Sequence, residues 1–266
     1  KLYINNELIT EVNVFAATEV NDFALYNCES LKSVTIGGDV KRVGTYAFYN
    51  CKNLENVTIA GDVAGVGVYA FGGCDNLLEM TLPFAGKNAT ATGYESMFGY
   101  IFGYETRDTN SYTVSKATYQ YKGTATSGKD VYYYYYIPET LRSVTITGPG
   151  NIFVGAFRNC GNLTEVTIGN AVKGIGDEAF RGCTGLRKIT IPFVGNSIDG
   201  QGSTHFGCIF GAVRADGNKT WVPSALKEVI ITGGSEIDSS AFSNCKNLES
   251  ITLPGSVTHV NKDAFY

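Results

Sequence analysis

One short apolar pattern returns along almost the whole chain. The pattern is L-x-x-V-T-I or a close variant, and it occurs nine times. Its copies begin at Ile9, Leu31, Leu54, Leu77, Leu141, Leu163, Leu186, Leu226 and Leu248. Each copy is rich in β-branched residues and bounded by glycine or proline, which predicts a strand. Alternation along such a strand places valine and isoleucine inward and threonine outward.

A second apolar element precedes most of these strands. Cys28, Cys51 and Cys74 are each 23 residues apart, and the same spacing separates Cys160 from Cys183. An Ala-Phe pair comes before the cysteine, at Ala47, Ala70, Ala156, Ala179, Ala241 and, near the end of the chain, Ala264. We expect a short turn or helical segment here that places phenylalanine in the core. A unit of this size cannot bury its apolar face alone, whereas stacked units can, which predicts a solenoid.

The combined pattern, V-x-x-I-x-x-x-A-F-x-x-C-x-x-L-x-x-V-T-I, resembles the BspA-like (Treponema pallidum-type) leucine-rich repeat. Segments 244–248 and 253–257 fit it closely, and segment 2–8 resembles the lead-in of many such arrays. The resemblance implies a β-rich α/β repeat, a right-handed leucine-rich-repeat solenoid with a parallel sheet on the concave face and short helical turns. It also implies an extracellular or cell-surface protein of host-associated bacteria that acts in adhesion or host-protein binding.

We expect a single solenoid over residues 1–266, with about nine repeats of roughly 22–23 residues. Two related insertions interrupt it, at 83–138 and 192–223. Both contain F-G-x-I-F-G, beginning at Phe98 and at Phe206. The chain ends within a repeat, and a solenoid end without a cap exposes core. We therefore expect the natural protein to continue beyond Tyr266.

The first insertion is rich in tyrosine, because residues 90–137 hold 11 of the 17 tyrosines. Two tyrosine-bearing segments flank Gly123–Gly128, which predicts a β-hairpin. Tyrosine offers a large rigid contact area with a polar tip and suits recognition of a protein or a glycan. The candidate ligand contacts are Tyr119, Tyr121, Tyr132, Tyr133, Tyr134, Tyr135 and Tyr136. The alternative is that alternate tyrosines only pack the hairpin onto the solenoid.

Composition excludes several function classes. The formal net charge is -4 and the isoelectric point is near 5.3, which argues against a nucleic-acid partner. No apolar run is long enough to span a membrane. The chain has two histidines, His205 and His259, without zinc-ligand spacing. A catalytic pair of Cys208 and His205 lacks the other groups that catalysis needs, so we expect no enzyme and no cofactor.

Two columns of repeated residues have structural explanations. Six of the seven cysteines occupy one repeat position, which indicates a buried ladder of small side chains, with disulfides between neighbouring units as the alternative. The outward threonines form a second ladder that packs across strands. A ligand-binding threonine surface is the alternative there.

These observations favour a non-enzymatic surface or secreted module that binds a host extracellular protein or glycan through the solenoid face and the tyrosine-rich insertion. The alternative is a structural spacer or stalk of a larger surface protein. The sequence does not name the ligand or the oligomeric state.

Overall fold

The protein is described by a computed structural model that covers residues 2–60, 62–108, 116–200 and 202–266. The backbone divides into two compact units, residues 1–144 and 145–266. The single solenoid over residues 1–266 stays a prediction. Within the described ranges, no helix is both long and apolar enough to cross a membrane.

Short strands make up most of the regular structure. Those that begin before residue 144 are β1 (Leu2–Ile4), β2 (Glu7–Ile9), β3 (Glu11–Val14), β4 (Glu19–Val20), β5 (Ser33–Ile36), β6 (Arg42–Val43), β7 (Asn56–Ile59), β8 (Gly65–Val66), β9 (Glu79–Leu82), β10 (Tyr104–Arg107), β11 (Thr118–Thr124), β12 (Asp130–Tyr135) and β13 (Ser143–Ile146). The later ones are β14 (Gly150–Ile152), β15 (Glu165–Ile168), β16 (Val172–Ile175), β17 (Lys188–Ile191), β18 (Glu228–Ile231), β19 (Glu236–Ile237), β20 (Ser250–Thr252) and β21 (His259–Val260).

Helices are few and lie in the two insertions. The 3₁₀ helices are η1 (Gly93–Ser96), η2 (Phe98–Phe102), η3 (Phe206–Phe210) and η4 (Ala215–Gly217), and the α-helix is α1 (Asn218–Trp221). All nine predicted repeat strands are present, as β3, β5, β7, β9, β13, β15, β17, β18 and β20.

Each unit is a β-solenoid built on parallel sheets, as predicted. In the first unit, β3, β5, β7 and β9 pair in that order, and β4, β6 and β8 form a smaller parallel sheet. In the second unit, β15, β17, β18 and β20 pair in order, beside the smaller pairs β14–β16 and β19–β21. The threonine ladder is in register, since Thr35 lies opposite Thr58 and Thr58 opposite Thr81.

Inward residues of the repeats form the core of each unit. Val34 and Ile36 on β5 are 1% and 0% exposed, and the same alternation recurs on the other full-length repeat strands. Phenylalanines of successive Ala-Phe pairs stack on one another, with the Phe48 and Phe71 ring centroids 5.3 Å apart and the ring planes nearly parallel. This stacking explains why the same residue types return at the same position.

The Ala-Phe segments are turns, which is one of the two forms that the sequence predicted. The reason for a turn is a left-handed residue before the alanine and another before the cysteine, for example Tyr46 (φ 56°) and Asn50 (φ 59°). A positive φ interrupts a right-handed helix. The position before the cysteine holds asparagine or glycine in every repeat, because these residues adopt that conformation at the lowest cost.

Backbone hydrogen bonds join each turn to the next one. Leu25 donates its N–H to the carbonyl of Ala47 at 2.7 Å, and Phe48 donates to Ala70 at 2.8 Å. The helix η3 takes the place of one such turn, because Phe180 donates to Ile209 at 2.8 Å and Phe206 donates onward to Ala241 at 2.8 Å. The F-G-x-I-F segment of each insertion is therefore a structural part of its unit.

The cysteine ladder consists of free thiols, so the disulfide alternative is wrong. Several thiols donate to the carbonyl of an earlier repeat, as Cys74 does to Phe48 at 3.2 Å and Cys183 to Phe157 at 3.1 Å. Burial raises the pKa of the Cys183 thiol to about 12. The cysteine thus combines a small apolar volume with a donor for a buried carbonyl.

We predict that this ladder makes the protein sensitive to alkaline pH. A thiol whose pKa rises from 9.0 unfolded to about 12 folded stabilises the fold fully below pH 9, and this contribution is lost as the pH rises towards 12. The melting temperature of the wild type should fall over that window more steeply than that of Cys183→Ala. Equal slopes for the two proteins would contradict the prediction. Iodoacetamide at pH 8 should also leave Cys183 unmodified until the protein unfolds.

Candidate binding surface

The tyrosine-rich insertion contains the predicted hairpin and one further strand. β11 and β12 pair antiparallel, and β10 pairs with the other edge of β12, which gives the order β10-β12-β11. The tip closes with two backbone hydrogen bonds, from Ala125 to Lys129 and from Gly128 to Ala125, both 2.8 Å. Tyr132–Tyr135 therefore lie on the central strand of a three-stranded sheet.

A β-bulge anchors this sheet to the helix η2. The register shifts between Tyr119 and Tyr121, which turns Gln120 inward. The side chain of Gln120 is 2% exposed, and its Oε1 accepts the backbone N–H of Gly99 at 2.9 Å. A bulge re-aims a side chain without ending the pairing. Sequence analysis missed Gln120 because a bulge is not visible in an alternating pattern.

The structure places the seven predicted contact residues at different depths. Tyr134 and Tyr135 are 2% and 0% exposed, so these two rings are not available to a ligand. The hydroxyl of Tyr135 donates to the carbonyl of Tyr94 at 2.7 Å, and its burial raises the pKa of that hydroxyl. The half-buried members of the set are Tyr119, Tyr121, Tyr132, Tyr133 and Tyr136. Packing therefore explains part of the tyrosine set.

The half-buried tyrosines contact one another in two groups. Tyr133 stacks on Tyr94 of the helix η1 with centroids 4.8 Å apart, and Tyr121 meets Tyr133 edge-on at 5.6 Å. Tyr119 and Tyr132 form the other pair, with centroids 6.0 Å apart. Neighbouring rings restrict each other's rotation, so the partly exposed faces are held in place before a ligand arrives.

Charged groups beside these rings are paired. Lys122 forms an ion pair with Asp130 at 2.9 Å and lies over the ring of Tyr132, with Nζ 5.8 Å from the centroid. Arg107 pairs with Glu105 at 2.8 Å, and the hydroxyl of Tyr136 donates to Glu105 at 3.0 Å. The surface is thus polar and aromatic without a local excess of one charge.

The second insertion uses a comparable anchor. Asn218 is 0% exposed, and its Oδ1 accepts the N–H of Gly207 at 2.9 Å, as Gln120 does for the equivalent Gly99. Its Nδ2 donates to the carbonyls of Ala241 and Ser243 at 3.3 and 2.8 Å. One buried amide therefore joins the insertion to the next repeat. In the sequence, only the F-G-x-I-F-G motif that the two insertions share points to this anchor.

Aromatic residues of the plain repeats form a second surface that sequence analysis missed. The residue before the Ala-Phe pair, or before Ala24-Leu25 in the first repeat, is aromatic in the first three repeats, and the residue after the pair is aromatic in the first two. These rings stack in two columns. One column is Phe23, Tyr46 and Tyr69, and the other is Tyr26 and Tyr49. The signal was present in the repeat alignment, at the two positions that flank Ala-Phe.

The other chemistry considered from the sequence does not assemble. Neither ring nitrogen of His205 has a hydrogen-bond partner in the described part of the chain, and the Cys208 thiol is directed to the carbonyl of Ser203 at 4.0 Å. His205 and Cys208 therefore do not form a nucleophile–base pair. Among the described residues, no group of three or more potential metal ligands is present.

We predict that Tyr135 is a structural residue of the sheet. Tyr135→Ala should lower the free energy of unfolding by about 3–5 kcal/mol, because it empties a fully buried aromatic site. Tyr135→Phe should cost about 1 kcal/mol, because it removes only the hydrogen bond to Tyr94. Urea denaturation of the three proteins measures both effects. Equal losses in the two variants would show that burial of the ring contributes nothing.

We predict a comparable loss at the second anchor. Asn218→Ala leaves the Gly207 N–H and the Ser243 carbonyl without the partner that Asn218 supplies, which should lower the free energy of unfolding by about 3 kcal/mol. The exposed residue Asn162 provides the control. Asn162→Ala should change the free energy of unfolding by less than about 0.5 kcal/mol. Denaturant titration compares the two variants, and similar values for both would contradict the role of Asn218.

Comparison with solved structures gives low-similarity relatives. A leucine-rich repeat protein of T. pallidum is 18% identical over 91% of this chain and 79% of its own, with a TM-score of 0.34. A leucine rich cell surface protein from Faecalibacterium prausnitzii A2-165 is 17% identical over 94% of this chain and 89% of its own, with a TM-score of 0.30. No curated protein matches the chain.

The family assignment comes from the sequence pattern itself. The family described as "BspA type Leucine rich repeat region" matches in six copies, over residues 3–103, 133–208 and 217–266. These ranges include most of the chain and leave out residues 104–132, which hold β10, β11 and the start of β12. The resemblance drawn from the repeats is confirmed, and the chain belongs to the BspA-type leucine-rich repeat family.

Proposed function

We propose that this chain is a non-enzymatic binding module of a cell-surface or secreted protein. It recognises a host extracellular protein or glycan through the solenoid face and the tyrosine-rich insertion. The observation that carries the proposal is the tyrosine-bearing sheet β10-β12-β11, most of which lies outside the ranges that match the family repeat. Insertions into a repeat scaffold that are not needed for stacking are frequent sites of ligand binding.

The exposed part of this sheet has the composition of a recognition surface. Tyr119 and Tyr132 are half-buried and contact each other across β11 and β12, so a partner could bury the remaining ring area. Tyrosine loses little conformational entropy on binding and adds a hydrogen-bonding tip. The pairing of Lys122 with Asp130 leaves few charges to desolvate. These properties support a neutral, aromatic contact rather than an electrostatic one.

The proposed location follows from the family that the repeats resemble, whose members act at the surface of host-associated bacteria. A spacer function for the repeats is the competing proposal. The binding proposal and the spacer proposal assign different roles to the tyrosines, because a spacer needs only the buried tyrosines that pack the sheet. The exposed tyrosines therefore decide between them.

We expect the double variant Tyr119→Ala/Tyr132→Ala to lose binding while it keeps its fold. In a screen of immobilised extracellular-matrix proteins and glycans, its affinity for any captured ligand should fall about thirtyfold, as for a contact worth about 2 kcal/mol. Its melting temperature should stay close to that of the wild type.

The control replaces two exposed tyrosines outside the insertion. Tyr3→Ala/Tyr266→Ala should bind like the wild type, since these rings are 55% and 86% exposed and lie outside the insertion. Binding that survives in Tyr119→Ala/Tyr132→Ala, or no binding by the wild type, would favour the spacer.

A further inference from the structure

A cavity of about 570 Å³ opens within the first unit, beside the aromatic columns. Its lining includes Tyr49, Tyr69, Asp75, Phe102, Tyr136 and Glu139. The first three belong to plain repeats, and the last three to the insertion and the chain that returns from it. A volume of this size is typical of small-molecule sites, which occupy roughly 300–1,000 Å³.

The column of Tyr26 and Tyr49 ends at this cavity. The two rings stack with centroids 5.3 Å apart and an interplanar angle of 16°. The next position of the column is Gly72, which has no side chain. A Cβ at Gly72 would lie 2.9 Å from Cδ2 of Tyr49, so any larger residue would be placed against this ring. This distance is too short for a Cβ contact, so the backbone of Gly72 itself packs against the ring, and the remaining exposed part of the half-buried Tyr49 lines the cavity.

The second column contributes an adjoining wall, because Tyr69 contacts Tyr49 edge-on with ring centroids 6.3 Å apart. Tyr69 stacks on Tyr46 at 5.0 Å with an interplanar angle of 4°, and its hydroxyl donates to the carbonyl of Tyr104 at 2.8 Å. Burial raises the pKa of this hydroxyl, and the neighbouring Tyr46 raises it further. Tyr49 and Tyr69 meet at 64°, which gives the cavity two fixed aromatic walls.

The second unit provides an internal comparison. At the repeat position of Gly72 it carries Arg181, whose guanidinium lies 4.7 Å from the ring of Trp221. Glu178, at the position of Tyr69, forms ion pairs with Arg158 and with Arg181. Arg181 thus covers the ring of Trp221. Trp221 lies near the end of the second insertion, as Tyr136 does in the first. The same repeat geometry is filled in one unit and left open in the other, so the cavity is not a consequence of the fold alone.

Carboxylates supply the polar groups at the mouth. Asp75 and Glu139 are both exposed, and none of the ion pairs formed by the described residues includes either of them. Carboxylate oxygens accept hydrogen bonds from hydroxyl groups, two to each oxygen. Among the described lining residues Lys116 is the one cation, beside the two carboxylates, and this balance disfavours an anionic ligand.

We propose that this cavity binds a short neutral saccharide, with one sugar ring against the part of Tyr49 that lines the cavity and its hydroxyls bonded to Asp75 and Glu139. The electron-rich face of tyrosine attracts the polarised C–H groups of a sugar ring. One cationic side chain of a partner protein would fill only part of a cavity of this volume. This proposal rests on the proposed function, since it names a ligand class for a binding module.

Saturation-transfer-difference NMR tests the proposal with the intact chain. The probes are lactose, cellobiose, maltose and diacetylchitobiose, with sialyllactose and arginine amide as charged comparisons. At least one neutral disaccharide should receive saturation, and neither charged probe should. No transfer to any neutral disaccharide, or transfer to arginine amide alone, would overturn the proposal.

Three variants locate the binding. Gly72→Arg introduces the residue found at this position in the second unit and should weaken saccharide binding by about tenfold or more. Asp75→Asn and Tyr49→Leu should also weaken it, and they decide the question if Gly72→Arg does not fold. The matched control is Asp216→Asn, an exposed carboxylate in the second insertion, which should bind like the wild type. Unchanged binding in all folded cavity variants would place the saccharide elsewhere and overturn the assignment.

The same samples separate this proposal from the proposed function. Tyr119→Ala/Tyr132→Ala should bind the disaccharide normally, because neither ring lines the cavity. If matrix binding is lost only in that variant and no protein binds a saccharide, the cavity proposal is wrong and the proposed function is supported. If the cavity binds a saccharide but Tyr119→Ala/Tyr132→Ala captures matrix ligands as the wild type does, the cavity proposal is supported and recognition through the tyrosine-rich insertion is wrong.

Discussion

The fold depends on the hydrogen bonds that each turn makes to the next one. In the Ala-Phe segments, backbone N–H groups alternate between partners inside the turn and partners in the following repeat, as Leu25 and Phe48 show. A buried backbone group without a partner is costly. Each repeat therefore requires a neighbour with the same backbone path, and the left-handed residues before the alanine and the cysteine maintain that path.

This requirement explains how the two insertions are accommodated. The 3₁₀ helix η3 accepts a hydrogen bond from Phe180 and donates one to Ala241, so the stack continues across the insertion. The helices then need anchors of their own, which Gln120 and Asn218 supply with buried amide groups. The tyrosine-rich sheet is held by the first of these anchors, since Gln120 lies on β11.

The two units use one scaffold for different surfaces. Positions that flank Ala-Phe do not face the core, so stacking places few limits on their side chains. In the first unit they carry stacked aromatic rings and end at Gly72, beside a cavity. In the second unit they carry Arg158, Glu178 and Arg181, which pair with one another and cover Trp221. A few side chains at these positions thus determine whether the space beside the insertion is an open cavity or is filled.

The sequence alone determined the repeat, its strands, its family and the relation between the insertions, because stacking demands the same residue types at the same spacing. It also predicted the hairpin from Gly123–Gly128 and its flanking tyrosines. Only the tertiary structure showed that the Ala-Phe segments are turns, since left-handed residues such as Tyr46 leave no mark in an apolar pattern. It also decided which tyrosines are buried, because a bulge at Gln120 and a third strand, β10, set the faces of the sheet. The cavity beside Tyr49 depends on contacts between residues far apart in the chain, which no local pattern records.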